Sequence, residues 1–288
     1  MHGLDLRTLE IFRAVAREGS VSGAAKKLNR VQSNVSTRMK QLEEQLDRTL
    51  FERRKRGIAL TPEGELLLSY AQRLLDLSDE ASDALNQDVP RGPFRIGAME
   101  STAASRLPEP LSRFHETCPE VAVDVVTGTA GAIVGKLLGR EIDVGFVAEP
   151  ARHEDLVSEP VFEEALVLVA PESFGSLDDP GKLSGRTMIA FEQGCAYRRY
   201  LEDWLLESGI APGTVLSVGS YLAMLACVSA GTGFCVVPQS VLEVVNSSGR
   251  FVRKPLAGKF AAIRTLMVTR RGYRSAKLDA LKEKLPAA

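Results

Sequence analysis

Residues 20–46 read SVSGAAKKLNRVQSNVSTRMKQLEEQL, and they predict two short helices joined by a tight turn. Ser20 is a good N-cap for the first helix, and the second is expected to begin near Gln32. The apolar residues expected to pack the pair are Val21, Ala24, Ala25, Leu28 and Val31. The second helix repeats apolar residues at i, i+4, i+7 and i+11, which predicts one buried face: Val35, Met39, Leu42 and Leu46.

This pair of helices is typical of a DNA-binding helix-turn-helix. The small Ala24 and Ala25 allow close approach of the helices, while polar side chains early on the second helix can reach base edges or phosphates. An ordinary amphipathic hairpin also exposes polar residues, so the pattern alone leaves that alternative open. The candidate DNA-contacting residues here are Ser22, Arg30, Gln32, Ser33, Asn34, Ser36, Thr37, Arg38 and Lys40.

The next segment, LFERRKRGIALTPEG at 50–64, combines a basic run with flanking apolar residues. It predicts a two-stranded wing whose tip meets DNA phosphate. A basic run is more often a solvated loop, but its place directly after a recognition helix favours the wing. Its candidate contacts are Arg53, Arg54, Lys55 and Arg56.

The charge of the chain is unevenly distributed. The 288 residues carry a net charge of -1, yet residues 1–60 hold 13 basic and 7 acidic residues, a net charge of +6. The remaining residues hold 23 basic and 30 acidic ones, a net charge of -7. A basic N-terminal segment followed by an acidic remainder is typical of a protein that binds nucleic acid through its N-terminal part alone.

A long helix is predicted from Thr61, a good N-cap, through Pro62 to Leu85. Two sets of residues fall seven apart and predict pairing between two copies of the chain: Leu67, Leu74, Ala81 and Tyr70, Leu77, Ala84. Packing against the same chain is the alternative, since only about three heptads are present. The segment 86–93, NQDVPRGP, then breaks the helix.

From Phe94 onward, short Val- and Ile-rich runs alternate with helical stretches. The predicted strands are FRIGAM, VAVDVVTG, IDVGFVA, ALVLVA, TMIAF, VLSVG and GFCVVP, and the predicted helices include Ala103 to Thr117, Ile133 to Leu138 and Tyr197 to Ser208. This pattern predicts an α/β fold with largely parallel sheets. Ligands in such sheets lie beyond the carboxyl ends of the strands, where helix N-termini point amides into a crevice.

Three strand-to-helix junctions carry hydroxyls and free amides that could bind a carboxylate or phosphate, and Arg198 could add a charge-assisted bond. Ordinary helix capping explains each junction equally well when it is taken alone. The junctions are Glu100, Ser101, Thr102; Thr127, Gly128, Thr129; and Gln193 through Arg198.

The motifs LxxFxAVAxxGSxSxAAxxL, SNVSTRMKQLEEQL and LFxRxxRGxxLTPxG resemble the DNA-binding end of LysR-type transcriptional regulators. LPEPLSRFHETCPEVAVDV and SAGTGFCVVPQSV are similar to the effector-binding half of that family. Asn34 and Val35 depart from its common pattern, Ala followed by Val or Leu, which makes Asn34 a candidate specificity residue.

The resemblance implies a winged helix-turn-helix domain at 1–60, a dimerising linker helix at 61–86, a hinge at 87–92 and an effector domain at 93–288. That last domain would resemble type II periplasmic binding proteins, with subdomain I at 93–163 and 266–288 and subdomain II at 164–265. A small polar metabolite would bind in the cleft. Double-stranded DNA, RNA polymerase and further copies, as homodimer or homotetramer, are the implied partners. The implied effector residues are Glu100, Ser101, Thr102, Thr127, Gly128, Thr129, Cys195, Tyr197, Arg198, Ser220 and Tyr221.

A narrower resemblance, through MESTAASRLP and GCAYRRYLEDW among others, is to a subgroup that includes putrescine-utilisation regulators. A diamine needs carboxylates, and Glu100 and Glu149 lie near predicted strand ends. Small carboxylates are the commoner effectors in the family, so both ligand classes stay open.

Several other classes lack support. Cys118, Cys195, Cys227 and Cys235 form no CxxC pair and the three histidines are scattered, so neither a disulfide framework nor a metal site is expected. GTG at 231–233 is no dinucleotide fingerprint, and no enzyme activity or cofactor is expected. Without a signal-peptide or membrane-span pattern, a cytoplasmic protein is expected. The alternative function is a cytoplasmic solute-binding module without a transcriptional role.

Overall fold

A computed structural model of the chain describes residues 4–54, 57–85, 90–148, 153–245 and 251–286. Contacts within the chain divide it into two units, 1–86 and 87–288. Within the described ranges, no helix is long and apolar enough to cross a membrane. Residues 86–89, the last residue of the expected linker helix and the first part of the expected hinge, lie outside these ranges. The first strand of the second unit already begins at Gly92, the last residue of the expected hinge.

The first unit is a helix-turn-helix with a two-stranded wing and a long helix. Side-chain caps define where its helices begin: Ser20 Oγ accepts the Gly23 N–H at 3.1 Å, and Thr61 Oγ1 accepts the Gly64 N–H at 3.0 Å. Asn29 adopts a left-handed backbone, φ 50°, at the predicted turn. The elements are α1 Leu6–Glu18, α2 Val21–Lys27, α3 Gln32–Leu46, β1 Phe51–Arg54, β2 Gly57–Leu60 and α4 Pro62–Leu85.

The core of this unit confirms the predicted helix-turn-helix with one correction. Ala24 and Ala25 are buried together with the apolar face of α3. Val31, expected to pack between the helices, is 69% exposed. It is the N-cap residue of α3 with an extended backbone, so its side chain projects away from the helix pair.

The wing is an antiparallel hairpin in which Phe51 pairs with Leu60. It lies against the turn after α1, because the Ile58 N–H donates to the carbonyl oxygen of Gly19 at 3.0 Å. Gly57 has φ 97°, and a Cβ there would come within 2.6 Å of the same oxygen. Only glycine fits this close approach without strain.

One side of α4 packs within the first unit and the other side does not. Ala71 and Leu75 are buried in the unit's core, and Leu67 packs against it, although Leu67 is part of the predicted heptad set. Four large apolar residues on α4 are 40–61% exposed: Leu66, Tyr70, Leu74 and Leu77. Their spacing places them on one face of the helix.

The second unit has two sheets with helices against them. Its strands are β3 Gly92–Ala98, β4 Val121–Thr127, β5 Val144–Ala148, β6 Leu156–Glu164, β7 Leu166–Pro171, β8 Met188–Ala190, β9 Val215–Ser217, β10 Cys235–Pro238, β11 Phe251–Pro255 and β12 Ile263–Arg270. Its helices are α5 Glu100–Ser105, α6 Pro108–Thr117, α7 Ala130–Leu138, α8 Ala196–Glu207, α9 Tyr221–Ser229, α10 Gln239–Val244 and α11 Ala276–Lys282. Short 3-10 turns occur at Glu172–Phe174, Pro180–Leu183 and Gly258–Phe260.

The first sheet has the order β4-β3-β5-β12-β6, and the second joins β10-β7-β11 to the parallel pair β8-β9 through a bridge between Met188 and Phe234. The expectation of largely parallel sheets is wrong. β12 runs antiparallel to β5 and β6, and β7 runs antiparallel to β10 and β11. In the first sheet, β12 comes from the end of the chain and inserts between β5 and β6, so its direction is not set by a local strand-helix-strand crossover.

Two boundaries inside this unit differ from expectation. The predicted helix Ala103 to Thr117 is two helices, because Pro108 cannot continue α5 and instead begins α6. The chain leaves the first sheet after Glu164, enters the second at Leu166 and returns to the first at Ile263. Residues 263–265, assigned from the sequence to the second subdomain, therefore belong to the first sheet.

Candidate functional site

The second helix of the helix-turn-helix, α3, presents a polar surface. Val35, Met39 and Leu42 turn one face into the core, which fixes the rotation of the helix. Most of the candidate contact residues are exposed: Ser22, Gln32, Ser33, Asn34, Ser36, Thr37, Arg38 and Lys40. Arg30, in the turn before α3, is half-buried. Donors and acceptors therefore stand on the side of α3 away from the core, as base-edge recognition requires.

The basic run is only partly covered by the described chain. Arg53 and Arg54 lie on β1, directly before the tip of the wing, and Gly57 opens β2 after it. Lys55 and Arg56, which complete the run, lie outside the described residues. The backbone thus places Arg53 and Arg54 at the end of the first strand of a hairpin.

A cavity of about 440 Å³ lies in the second unit. Its wall consists of segments that follow the carboxyl ends of β3 and β4 in the first sheet and of β8 and β9 in the second. The lining residues are Met99, Glu100, Ser101, Thr127, Gly128, Thr129, Ala130, Phe191, Glu192, Cys195, Ala196, Tyr197, Ser217, Val218, Gly219 and Tyr221. The volume and position are typical of a small-molecule site in an α/β fold.

The cavity brings together eight of the candidate effector residues: Glu100, Ser101, Thr127, Gly128, Thr129, Cys195, Tyr197 and Tyr221. Three others do not line it. Thr102 is buried on α5, and the Ser220 hydroxyl caps α9 by accepting the Ala223 N–H at 3.2 Å. Arg198 is held elsewhere, since Nε donates to Glu202 at 2.8 Å and Nη1 to the Phe191 carbonyl at 3.0 Å. Glu149 lies outside the described residues.

The structure adds lining residues that the junction pattern missed. Met99, Phe191 and Val218 form an apolar part of the wall, and Phe191 packs edge-on against Tyr221 with ring centroids 4.8 Å apart. Glu192 adds a second carboxylate, at the exposed end of the segment after β8. A search for carboxylates directly after predicted strands would have found Glu192, whereas the apolar residues carry no such signal.

Glu100 has an unusual environment. Burial raises the pKa of its carboxyl group, while the backbone N–H of Tyr221 donates to the carboxylate and lowers the pKa in part. The oxygen Oε2 is buried without a hydrogen-bond partner among the described residues. Because α5 follows a strand of the first sheet and α9 follows a strand of the second, this carboxylate links the lining segments of the two sheets, and its Oε2 can still accept a hydrogen bond.

Two buried hydroxyl groups, those of Ser101 and Tyr197, belong to the lining of the cavity, and a third, that of Thr265, is a neighbour of Tyr197. Ser101 and Tyr197 are each 2% exposed, and Thr265 on β12 is fully buried. Burial raises the pKa of the Tyr197 hydroxyl, which the neighbouring Ser101 and Thr265 only partly offset. Within the described chain, none of the three hydroxyl oxygens has a hydrogen bond of good geometry, so each can still take a partner. Cys195, at the start of α8, has its thiol pKa raised by burial and is neutral.

A buried ionic network lies beside this cluster. The Arg106 Nε donates to Glu164 Oε1 at 2.6 Å, and the Ser240 hydroxyl donates to Glu164 Oε2 at 2.8 Å. Ser240 and Ser105 share a hydrogen bond of 2.9 Å. Glu164 is 1% exposed and ends β6, immediately before the chain enters the second sheet. The network therefore ties α5 and α10 to the crossover between the two sheets.

Family comparisons match both units. A sequence model described as "Bacterial regulatory helix-turn-helix protein, lysR family" matches residues 6–65, and one described as "LysR substrate binding domain" matches residues 87–288. The chain belongs to the LysR family. It is thus a LysR-type DNA-binding transcriptional regulator with an effector-binding domain.

Individual LysR-family proteins are similar over almost the whole chain. GltR of Bacillus subtilis is 36% identical over 269 residues, which cover 93% of this chain and 91% of GltR. CzcR of the same organism is 33% identical over 266 residues, covering 92% of this chain and 91% of CzcR. The narrower likeness to putrescine-utilisation regulators is not confirmed by these comparisons.

Solved structures agree in fold. CbnR, in a crystal structure of the full-length protein complexed with target DNA, is 25% identical with a TM-score of 0.72, covering 98% of this chain and 99% of CbnR. Full-length OxyR of Pseudomonas aeruginosa, solved as a single-residue variant, gives a TM-score of 0.75 at 20% identity, covering 99% of this chain and 95% of that one. These similarities support the winged helix-turn-helix and two-sheet effector architecture derived above.

Proposed function

We propose that this LysR-type regulator reads duplex DNA with the exposed polar face of α3 and holds the phosphate backbone with its wing. The rotation of α3 supports this assignment, because burial of Val35, Met39 and Leu42 leaves the other polar residues facing water. Gln32 and Asn34 are suited to bidentate bonds with adenine edges, and Arg38 to guanine or phosphate. The basic run Arg53–Arg56 supplies contacts that are independent of base sequence. CbnR, with the same fold, is seen with its target DNA.

The regulator acts as a homodimer through α4, and two dimers form a homotetramer. This is supported by an exposed strip on one face of α4, formed by Leu66, Tyr70, Leu74 and Leu77. Burying these four large apolar side chains against a second copy of the chain would be favourable. Dimerisation presents two copies of α3 to two half-sites. A tetramer would contact two separated sites and could bend the DNA between them.

A small polar metabolite, either a small carboxylate or a diamine, binds in the cavity and controls the regulator. Support comes from the size of the cavity, its origin in both sheets and the polar atoms of Glu100, Ser101 and Tyr197 on its wall, of which Glu100 Oε2 has no hydrogen-bond partner among the described residues. A ligand that contacts both walls favours one arrangement of the two sheets over another. Such a shift would alter how the DNA-binding units are held and hence how RNA polymerase is engaged.

The proposed domain limits follow from these roles. Residues 1–60 bind DNA, 61–86 pair two chains, 87–92 form a hinge and 93–288 bind the effector, in subdomains that exchange after Glu164 and at Ile263. Since bacterial DNA lies in the cytoplasm, the regulator acts there. The alternative, a solute-binding module without a transcriptional role, leaves the first unit without a function.

The single observation that carries the proposal is the exposed polar face of a core-anchored α3. The test begins with selection of duplexes from a random pool by the full-length protein. Binding of the selected duplex is then compared by fluorescence anisotropy for the wild type and the triple variant Gln32→Ala, Asn34→Ala, Arg38→Ala. We expect a loss of at least about a hundredfold, since each good base contact contributes about 1 to 3 kcal/mol.

Gln239→Ala is the matched control, because it removes an exposed glutamine side chain from the second unit. Its affinity for the duplex should equal that of the wild type. Wild-type affinity in the triple variant would contradict the assignment of α3 as the recognition helix. Selection of no preferred sequence would contradict sequence-specific DNA binding by this protein.

A further inference from the structure

The wall of the cavity carries acidic but no basic side chains among the described residues. Glu100 and Glu192 are its ionisable carboxylates, and neither lysine, arginine nor histidine lines it. Arg198 directly follows the lining residue Tyr197 in the sequence. Its guanidinium group, however, donates hydrogen bonds to Glu202 and to the Phe191 carbonyl. A ligand with only negative charges would therefore meet carboxylates without a compensating cationic side chain.

The buried part of the cavity wall holds oxygen atoms that can accept a further hydrogen bond. Glu100 Oε2 has no hydrogen-bond partner, and the buried oxygens of Ser101 and Tyr197 have none of good geometry among the described residues. Burial, the largest effect, raises the pKa of Glu100, which means that the cavity wall solvates this carboxylate poorly. A protonated amine with up to three N–H donors would satisfy these oxygens and supply the missing counter-charge.

The rest of the wall suits the remainder of such a ligand. Met99, Phe191 and Val218 offer an apolar surface against which a methylene chain can pack. Beyond it, Glu192 stands at the exposed end, and the nine-residue helix α7 begins at Ala130 with Thr129 as its cap. A second ammonium group could pair with Glu192, whereas a carboxylate could accept from the N-terminal amides of α7.

We propose that the effector is a small molecule bearing a protonated amine, and that Glu100 is the residue that binds this amine. This identification rests on the function proposed above for the cavity. It selects one of the two ligand classes considered from the sequence: an amine is required, and a ligand carrying carboxylates alone is rejected. A diamine and an amino acid share the required ammonium group, and they differ in the group at the other end of the molecule.

Three probes with the same four-carbon chain test the proposal: butane-1,4-diamine, 4-aminobutanoate and butanedioate. Their binding to the full-length protein is measured by isothermal titration calorimetry at pH 7.5. We expect at least one of the two amines to bind and butanedioate not to bind. Glu100→Gln should lower amine affinity at least about tenfold, because it removes a charge-assisted bond in a poorly hydrated place. Glu172→Gln, an exposed glutamate after β7, is the matched control and should bind as the wild type does.

Three further variants distinguish a diamine from an amino acid and a failed amine assignment from a failed cavity assignment. Glu192→Gln should weaken binding of the diamine alone. Thr129→Val removes the hydroxyl group at the start of α7, whose O–H can donate to a carboxylate, and should weaken binding of the amino acid alone. Ser217→Trp, at an exposed lining position, should block every probe that enters the cavity.

Each remaining outcome overturns the amine assignment. These are butanedioate binding more tightly than both amines, amine affinity unchanged in Glu100→Gln, or no binding of diamines and ω-amino acids from two to six carbons. If butanedioate binds and Ser217→Trp abolishes it, the cavity remains the effector site and only the amine assignment fails. If a probe binds equally well to Ser217→Trp, the cavity is not the effector site and the function proposed for it fails too.

Discussion

The two units of this regulator keep their polar functional groups in opposite environments. The polar residues of α3 are exposed to water, whereas Ser101 and Tyr197 at the cavity are each 2% exposed. An exposed polar side chain is hydrated, so its removal changes stability little. A buried polar group without a partner carries a desolvation cost that a bound ligand can relieve. We therefore expect changes on the DNA-binding surface to alter binding alone, and changes around the cavity to alter stability as well.

The largest stability effect is expected at Glu164. Glu164→Ala removes the acceptor of both Arg106 and Ser240 and leaves a guanidinium group beside the crossover without its counter-ion. Loss of one partner of a buried ion pair costs about 3 to 5 kcal/mol, and the lower end applies because the Arg106 side chain is 33% exposed and can reach water. Chemical denaturation monitored by circular dichroism gives the free energy of unfolding.

Glu163→Ala is the control, because it removes the same side chain from the neighbouring exposed position. Its unfolding free energy should stay within about 0.5 kcal/mol of wild type. Equal stability of the two variants would show that the ionic network does not hold the crossover. Among the polar groups of the two units, those of the second unit would then be expected to affect stability only at the cavity wall.

The second prediction concerns the exposed apolar strip of α4. Leu74→Asp places like charges against each other in the proposed dimer and removes apolar contact area, so the dimer dissociation constant should rise at least about a hundredfold, roughly 2.7 kcal/mol. Because Leu74 is 40% exposed in the single chain, the unfolding free energy of the monomer should change little. Sedimentation velocity across a concentration series measures the dissociation constant. Ser69→Asp adds the same charge at an exposed position outside the strip and should leave the dimer intact.

A third, smaller effect is expected for the wing. Replacing Arg53 through Arg56 with alanine should weaken binding to all duplexes similarly, by about tenfold or more at moderate salt, because phosphate contacts carry no base information. The dependence of affinity on salt should become shallower by about 0.9 for each phosphate that the variant no longer neutralises. Thermal stability should change little, since alanine keeps the backbone pairing of Arg53 and Arg54 with β2. An unchanged salt dependence would mean that the wing does not touch the backbone of DNA.

The sequence predicts the first unit well because its contacts are local. The Ser20 cap, the close packing of Ala24 and Ala25, and the buried face of α3 all follow from spacings of three or four residues. Val31 shows the limit: an apolar residue at a helix boundary lies outside the helical repeat, and its extended backbone directs it to solvent.

The second unit depends on contacts that no local pattern contains. β12 lies between β5 and β6, and pairing Thr265 with Ala148 joins residues more than a hundred positions apart. The parallel expectation failed because strand direction is decided by this distant insertion. Arg198 is different, since Glu202 stands four residues later on the same helix, and this ion-pair spacing could have indicated that the guanidinium is engaged.

The last prediction applies the comparison to Glu100 itself. Burial raises the pKa of Glu100 in the folded protein, so the folded state holds this proton more tightly than the unfolded chain does. The contribution of protonated Glu100 to the stability of the folded protein is complete below the pKa of this group in the unfolded chain, about 4.3. It is lost as the pH rises through the pKa of Glu100 in the folded protein. At pH 7 without ligand, Glu100→Gln should therefore raise the midpoint of thermal unfolding by a few degrees at most, and this gain should vanish near pH 4. Differential scanning fluorimetry from pH 4 to 8 measures both, and a less stable variant at pH 7 would contradict the assignment. If Glu100→Gln stabilises the protein without added ligand and also weakens amine binding, the charge of Glu100 serves ligand binding at a cost in stability. The exposed polar residues of α3 carry no such cost, because water hydrates them.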